Sequence, residues 1–360
     1  MTATVRAGHN PYVGPRGFQP GETLYGRDGE VLELLELLLA ERIVLLHSPS
    51  GAGKTSLIQA ALIPRLEEEG FEILPVIRVN LEPPVVTDTG EGLNHYVLST
   101  LLSLEEGVSG RPQLDVAELA RMSLDDYLSR PPAEADNRVL IFDQFEEVLL
   151  NPADQPAKRE FFDQLGAALR PRERCALFAM RDDYVGALDP YLRALPTRAQ
   201  VRFRLDFLTQ QAAGQAVQGP AEQAGITFSE GAVTKLVDDL SQVWVQQPDG
   251  SSQPRPGPYV EPVQLQVVCL RLWDRLGPEQ KEIRESDIES AGDVDKALSM
   301  YYAQQVADVA TAPASASARS ASGSTCSSSW NKHFGDRPAT DRRTASTMCG
   351  RCCSSSRTPI

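Results

Sequence analysis

Apolar residues recur along this chain at two different spacings, and the alternation between them marks out its elements. From about Asp28 to Glu41 they fall at helical spacing, with Glu33 and Glu36 interrupting the leucines, which predicts one amphipathic helix. Ile43-Val44-Leu45-Leu46 is a short buried strand, and a Gly-rich turn follows it. A second helix is predicted from about Lys54 to Glu69, with Gly70 as its C-cap. Ile73 to Val79 reads as a second strand. Leu93 to Leu104 and Val116 to Ser129 read as helices, the latter stopped by Arg130-Pro131-Pro132. Val139 to Phe142, Ala176 to Met180 and Gln200 to Leu205 are further strands, with a helix over about Ala157 to Leu169. Strands alternating with helices in this way predict an α/β fold, a parallel sheet with helices on both faces.

From Thr209 the pattern turns helical. Gln246 to Pro258 is polar and rich in Pro, Gly and Ser, so it reads as a loop or hinge. Val263 to Leu276 is a strong helix, and Ser286 to Val309 holds one or two more. At the other end, Asn10 to Gly17 is rich in Pro and Gly and reads as an extended arm.

The 360 residues are enough for two or three domains. Residues 311–360 break with everything before them. They contain no Leu and no Val but 12 Ser, and seven Lys and Arg stand against two Asp there. That local charge of +5 leaves −19 on the residues before it. Such a segment cannot bury enough apolar surface to offset its ordering entropy. The abrupt break inside a helical pattern reads as a frameshift or aberrant sequence; a natural disordered tail is the alternative.

The net charge of −14 argues against a whole-protein grip on nucleic acid and leaves room only for a local basic patch. Six cysteines do not make a disulfide scaffold, and Cys175 and Cys269 sit in apolar runs as buried thiols. No apolar run is long enough to span a membrane, and Met1 to Asn10 lacks a secretory core, so the expected location is the cytoplasm.

The strongest chemical signal is Ser-Pro-Ser-Gly-Ala-Gly-Lys-Thr at 48–55, after a strand and opening a helix. That is the context of a phosphate-binding loop. Backbone N–H groups from Ser50, Gly51, Ala52, Gly53, Lys54, Thr55 and Ser56 are expected to face phosphates, helped by the helix dipole. Lys54 would reach the β- and γ-phosphates, and Thr55 would offer its hydroxyl to magnesium. The first position is usually Gly; Ser48 fits there only if its backbone stays in ordinary φ/ψ space.

Asp143 ends the apolar strand 139–142, so in a parallel sheet its carboxylate emerges beside that loop, where it can hold Mg2+. Glu146 and Glu147 follow at once, and either could activate water. Arg181 comes just after the next strand and would point at the γ-phosphate; an ion pair with Asp182 or Asp183 is the competing reading.

These motifs together resemble the STAND NTPases, closest to their bacterial novel STAND branch. The resemblance rests on residues 10–16, 24–27, 48–55, 143–147, 180–184, 219–221 and 261–269, and it covers roughly 10 to 310. It implies an extended arm over 1–24, a P-loop core over 25–207, a helical lid over 208–290 and the start of a winged helix over 291–310. It implies that Tyr25, Gly26 and Arg27 lie near adenine and ribose, that Pro220 packs on the base, and that Arg181 is a sensor arginine. It also implies a switch held closed by ADP and opened by ATP, often into a homo-oligomer, with an effector or sensor partner that the sequence does not name. No effector domain is recognisable before residue 10 and no repeat array at the end, which suggests a truncated product. The winged-helix histidine of the family has no assignable counterpart, because His333 lies in the aberrant tail.

Weaker signals carry less. Cys349, Cys352 and Cys353 with Cys326 and His333 make no credible zinc site in such a tail. His47 reads as a packed histidine, His95 has no visible partner, and Arg198, Arg202 and Arg204 read as solvated or ion-paired rather than as a finger acting in trans. No Asn-Lys-x-Asp element for guanine is present, which favours ATP. The expected function is a slow ATPase switch. A non-hydrolysing ADP-bound scaffold and a nucleic-acid-dependent ATPase are the alternatives.

Overall fold

Strands made of consecutive apolar residues must bury both faces, and this requirement organises the molecule. The computed structural model describes residues 10–81, 93–106, 113–130, 137–246, 252–277 and 279–291. The expected winged-helix start beyond residue 291, the tail at 311–360 with its cysteines and His333, and the first nine residues of the arm lie outside these. So do Pro131-Pro132 and the centre of the loop expected at 246–258.

The first half runs α1 (Asp28–Glu41), β1 (Ile43–Ser48), α2 (Lys54–Ser56), a π-helical stretch (Leu57–Leu62), α3 (Ile63–Glu68) and β2 (Glu72–Ile73). Then come α4 (His95–Glu105), α5 (Val116–Leu119), α6 (Leu124–Leu128), β3 (Arg138–Phe142), α7 (Gln155–Ala168), β4 (Arg174–Arg181) and β5 (Val201–Arg204). The five strands form one sheet in the order β2-β3-β4-β1-β5, and every pair is parallel.

Alternate residues of the three central strands β1, β3 and β4 enter two different cores. Ile43, Leu45, Leu140, Phe142, Ala176 and Phe178 face α4, α6 and α7. Val44, Leu46, Val139, Ile141, Leu177 and Ala179 face α1 and the helical run from residue 54 to 68. The sheet is therefore covered on both sides, as the apolar runs require. On the first face Phe142 stacks on Phe178 at 5.0 Å, and Phe145 lies 4.7 Å from Phe178 and 5.8 Å from Phe162.

Several elements differ from expectation for local reasons. The helix expected over Lys54–Glu69 is continuous but passes through a π-helical stretch at Leu57–Leu62. Its end is as foreseen: Gly70 has φ +83°, and the N–H groups of Gly70 and Phe71 bond the carbonyls of Glu67 and Leu66, a Schellman closure. The single helix expected over 116–129 is two. Asp115 and Glu118 form a capping box at the first, and the Ser123 side chain accepts from Asp126 N–H to start the second. Local capping overrides the continuous apolar period. The strand expected over 73–79 is reduced to β2 plus a parallel bridge from Ile77 to Phe142. Pro75, which has no N–H to give a ladder, lies in the interruption.

Beyond the sheet come β6 (Leu208–Thr209), α8 (Gln210–Gln223), β7 (Thr227–Phe228), α9 (Glu230–Leu240), β8 (Gln242–Gln246) and β9 (Ser252–Pro256). β10 (Tyr259–Val260), α10 (Pro262–Asp274), β11 (Glu282–Ile283) and α11 (Glu285–Ala291) complete the described chain. Thr209 and Ser229 cap α8 and α9 by accepting from Ala212 and Ala232 N–H. The loop expected at 246–258 instead contributes a strand to an antiparallel hairpin, β8 with β9. Each strand of such a ribbon has a free edge, so Pro254 and Pro256 are tolerated. Two small pairs, β6 with β10 and β7 with β11, were also not foreseen.

These helices share a third core around Val217, Leu236, Leu265 and Cys269, and the arm inserts Tyr12 into it. Tyr12 is buried, its hydroxyl donates to Val217 O at 2.5 Å, and its ring meets Trp273 edge-on at 6.0 Å. Asn10 Nδ2 donates to Leu270 O and to Asp274 Oδ1, and Val13 N–H donates to Gln266 Oε1. The arm then crosses to the sheet half, where Phe18 N–H donates to Ser56 Oγ at 3.1 Å.

One helical glycine is a close-approach position. A β-carbon on Gly166 of α7 would lie 2.0 Å from Ala194 O. Gly166→Ala is expected to lower stability, because overpacking costs about 1–3 kcal/mol, more than the helix-propensity gain of about 1 kcal/mol. Urea denaturation of the two proteins measures the difference; an equal or higher midpoint for the variant refutes the packing argument.

Candidate functional site

The loop after β1 turns sharply because two glycines take conformations that side chains avoid: φ is +82° at Gly51 and +95° at Gly53. Ser48 is not among the residues with positive φ, so serine is accommodated at the first loop position without strain. It is buried, and its hydroxyl accepts from Lys54 Nζ at 2.7 Å while donating to Pro49 O at 2.8 Å. Burial lowers the pKa of Lys54, against the pull of Glu146, Asp143 and Asp182, while Arg181 pushes it down further. A buried ammonium in a loop of free-turning glycines is fitted to receive an anion. Ala52 is buried and Ser50 exposed; the Ser56 hydroxyl is taken by the arm at Phe18.

Asp143 emerges at the end of β3 with 1% of its surface exposed. Its Oδ2 accepts from Thr55 Oγ1 at 2.8 Å, and its Oδ1 accepts from Gln144 N–H at 2.9 Å. Hydroxyl and carboxylate thus stand together, as the octahedral shell of magnesium would need. Among the described residues no three His, Cys, Asp or Glu side chains converge as a metal cage.

The next residue is the hinge of the site. Gln144 sits at φ +54°, a strained setting for a side chain of its size. The turn sends Phe145 back into the aromatic core and leads into the short 3-10 helix Phe145–Leu149. Glu146 Oε2 is buried with no hydrogen-bond partner among the described residues. Burial raises the pKa of Glu146; backbone N–H groups and Lys54 act against that. Burial also raises the pKa of Glu147, with Arg78 opposing. Both glutamates remain near the loop end, but only Glu146 has an orphaned oxygen and Lys54 among its electrostatic neighbours.

Arg181, level with Ser48 in the β1–β4 register, has its Nη2 2.6 Å from Asp183 Oδ2. The competing ion-pair reading is what is seen. Its Nε is nevertheless buried without a hydrogen-bond partner among the described residues, and its charge reaches Lys54. His47 is packed as expected, with Nδ1 2.7 Å from Asp182 Oδ1, and Asp182 also receives Arg204 Nε at 3.3 Å. His95 has a partner after all: its Nδ1 lies 3.5 Å from Asp154. Arg202 and Arg204 are ion-paired with Asp189 and Asp206. Cys175 and Cys269 are buried, and burial pushes both thiols up.

The helical half closes over this edge. A β-carbon on Gly51 would meet Glu261 Oε1, just before α10, at 3.0 Å. Tyr25 stacks so tightly on Gly219 that a β-carbon there would lie 2.3 Å from its ring, and its hydroxyl donates to Gln223 at 3.2 Å. Gly26, at φ +76°, lies against Ala212 O. The structure therefore brings Tyr25 and Gly26 onto α8, the helix that carries buried Pro220. Arg27 turns inward: its guanidinium, in a side chain 5% exposed, donates to Ala52 O, Asp206 O and Glu30. It ties the phosphate loop to the crossing into the helical half. Sequence reasoning missed Arg78, whose Nη2 lies 3.2 Å from Asp143 Oδ2. No pattern marked it, because Arg78 falls inside the strand expected over 73–79 and reaches the sheet edge only because that strand is interrupted.

A parallel sheet with a glycine loop and an acidic strand end meeting at its carboxyl edge defines a P-loop NTPase fold. The chain belongs to the novel STAND NTPase 1 family, whose pattern matches residues 11–321. No curated protein matches it. Among solved structures it is similar to the Walker-type ATPase PABY2304 of Pyrococcus abyssi, at 15% identity and a TM-score of 0.51, over 81% of this chain and 78% of that one. Two Aeropyrum pernix proteins are also similar. ORC2 in its ADP form has 15% identity, a TM-score of 0.46 and coverage of 76% and 70%. ORC1 in complex with DNA has 16% identity, a TM-score of 0.44 and coverage of 75% and 65%.

The raised pKa of Glu146 has a measurable sign. A carboxyl that holds its proton more tightly when folded stabilises the fold below its unfolded pKa and loses that contribution as pH rises through the folded value. Glu146→Gln is therefore expected to raise the melting temperature of nucleotide-free protein at neutral pH, with the gain shrinking as pH falls toward about 4. Melting curves across pH test this; a gain independent of pH contradicts it.

Proposed function

We propose that the chain is a nucleotide-operated switch that binds ATP or ADP with Mg2+ and hydrolyses ATP slowly. The observation that carries this reading is the meeting of Lys54, Thr55, Asp143 and the orphaned Glu146 oxygen at one sheet edge, under the helical half. Backbone N–H groups of 50–56 would hold the phosphates, with Lys54 leaving Ser48 to neutralise them. Thr55 and Asp143 would hold magnesium, which would supply positive charge to neutralise the phosphates. Glu146 would accept the proton of the attacking water; its raised pKa makes it a stronger base than an ordinary carboxylate. Arg181 would exchange Asp183 for the γ-phosphate. Tyr25, Gly26 and Pro220 would flank the base, since Tyr25 packs on Gly219 and Gly26 on Ala212, both on the helix that carries Pro220.

Regulation follows from the same contacts. Glu261 over Gly51, and Arg27 bridging Ala52 to Asp206, make the closed arrangement of the two halves depend on the loop. An ADP-bound resting form and an ATP-bound form open to self-association and to an effector partner are the two states we infer. Signalling or defence is the corresponding biological role.

The test is the nucleotide released on denaturing purified protein, followed by titration of added nucleotide. Wild type is expected to carry about one ADP per chain. Lys54→Ala is expected to bind about 10- to 100-fold more weakly, the value of charged hydrogen bonds at about 1.5–3 kcal/mol. Wild-type affinity in that variant would sink the assignment. Multiple-turnover phosphate release is expected to fall about 100-fold in Glu146→Gln; an unchanged rate removes Glu146 as the base.

A further inference from the structure

Arg78 is held in place with more care than a surface arginine needs. It lies just past the interrupted strand, and the parallel bridge from Ile77 to Phe142 sets residues 78 and 143 side by side at the sheet edge. Its backbone N–H donates to Ser103 Oγ at 3.1 Å. Its carbonyl accepts from Ser99 Oγ at 2.8 Å and from Ser103 Oγ at 3.2 Å. Leu81 N–H donates to Ser99 Oγ at 2.8 Å. Both serines are almost completely buried on α4, at 1% and 2% exposure. Buried hydroxyls cost stability unless bonded, and these two direct their bonds largely at the segment that carries Arg78.

What this anchoring positions is a cation. Arg78 Nη2 lies 3.2 Å from Asp143 Oδ2, the same oxygen that accepts the Thr55 hydroxyl. A buried carboxylate without a counter-charge is strongly unfavourable. Arg78 supplies the positive charge that a divalent ion would supply on the same atom. The side chain is 32% exposed, so it has somewhere to move. Glu147 is a second acceptor within its electrostatic reach.

We propose that Arg78 is the protein's own stand-in for the divalent cation. It compensates Asp143 while no metal is bound and is displaced toward Glu147 when a metal–nucleotide complex enters. It is a positioning residue that sets the metal concentration at which nucleotide is held. The proposal rests on the nucleotide-site reading above.

The experiment is a Mn2+ titration of the full chain with saturating ADP, following free Mn2+ by electron paramagnetic resonance. Wild type is compared with Arg78→Ala and Arg78→Gln; the glutamine variant keeps a polar stem and all the serine contacts to the backbone. Removing the competing cation is expected to lower the half-saturating Mn2+ concentration about two- to fivefold, the scale of a partly exposed ion pair. Damage to the fold would move it the other way, so the direction separates the two causes. A midpoint unchanged or raised in Arg78→Gln overturns the role of Arg78 while leaving the nucleotide site standing. A wild-type protein that takes up neither ADP nor Mn2+ overturns both.

Discussion

A carboxylate that is almost fully buried has to be compensated, and Asp143 is compensated from three directions. Thr55 reaches it from the glycine loop, Arg78 from the end of the interrupted strand, and Gln144 N–H from its own turn. Each approach depends on a different part of the sheet. The loop contact requires β1 and β3 to lie on either side of β4. The arginine contact requires the ladder to resume at Ile77 after Pro75. The turn contact requires Phe145 to re-enter the aromatic core. The geometry at this one side chain therefore integrates most of the packing of the first two hundred residues.

The second constraint is continuity between the halves. Arg27 is buried and donates to the backbone of the phosphate loop and to the backbone just before β6. Glu261 closes over Gly51 from the other side of the helical half. Neither contact is apolar, so neither follows from the three hydrophobic cores, which largely segregate between the halves. Polar contacts of this kind are directional and are lost with small displacements. A switch needs such joints, because packed cores do not deform gradually.

Much of this was legible in the sequence for a simple reason. The apolar runs at 43–46 and 139–142 are buried on both faces, and their edges carry the chemistry, so Lys54, Thr55 and Asp143 were placed from pattern alone. Where local chemistry competes with periodicity, the pattern misled. Ser123 splits a helix that the apolar period predicts whole, and Pro75 shortens a strand that the apolar run predicts long. The hairpin of β8 and β9 carries exposed Val243 and Val245, so no buried face announced it. Arg27 illustrates a different limit. Its motif was visible, but its partners are carbonyl groups 25 and 179 residues away, which no side-chain pattern encodes.

The arm at Asn10 to Phe18 has a consequence for the order in which the molecule is made. Asn10 bonds to residues 260 and 264 positions later, and Tyr12 to one 205 positions later. On the ribosome these early residues emerge long before α8 and α10 exist to receive them. The sheet can close on itself meanwhile, since β1 to β5 are complete by residue 204. The arm is thus made well before the helices that receive it, and it can be seated on α8 and α10 only after both have been made.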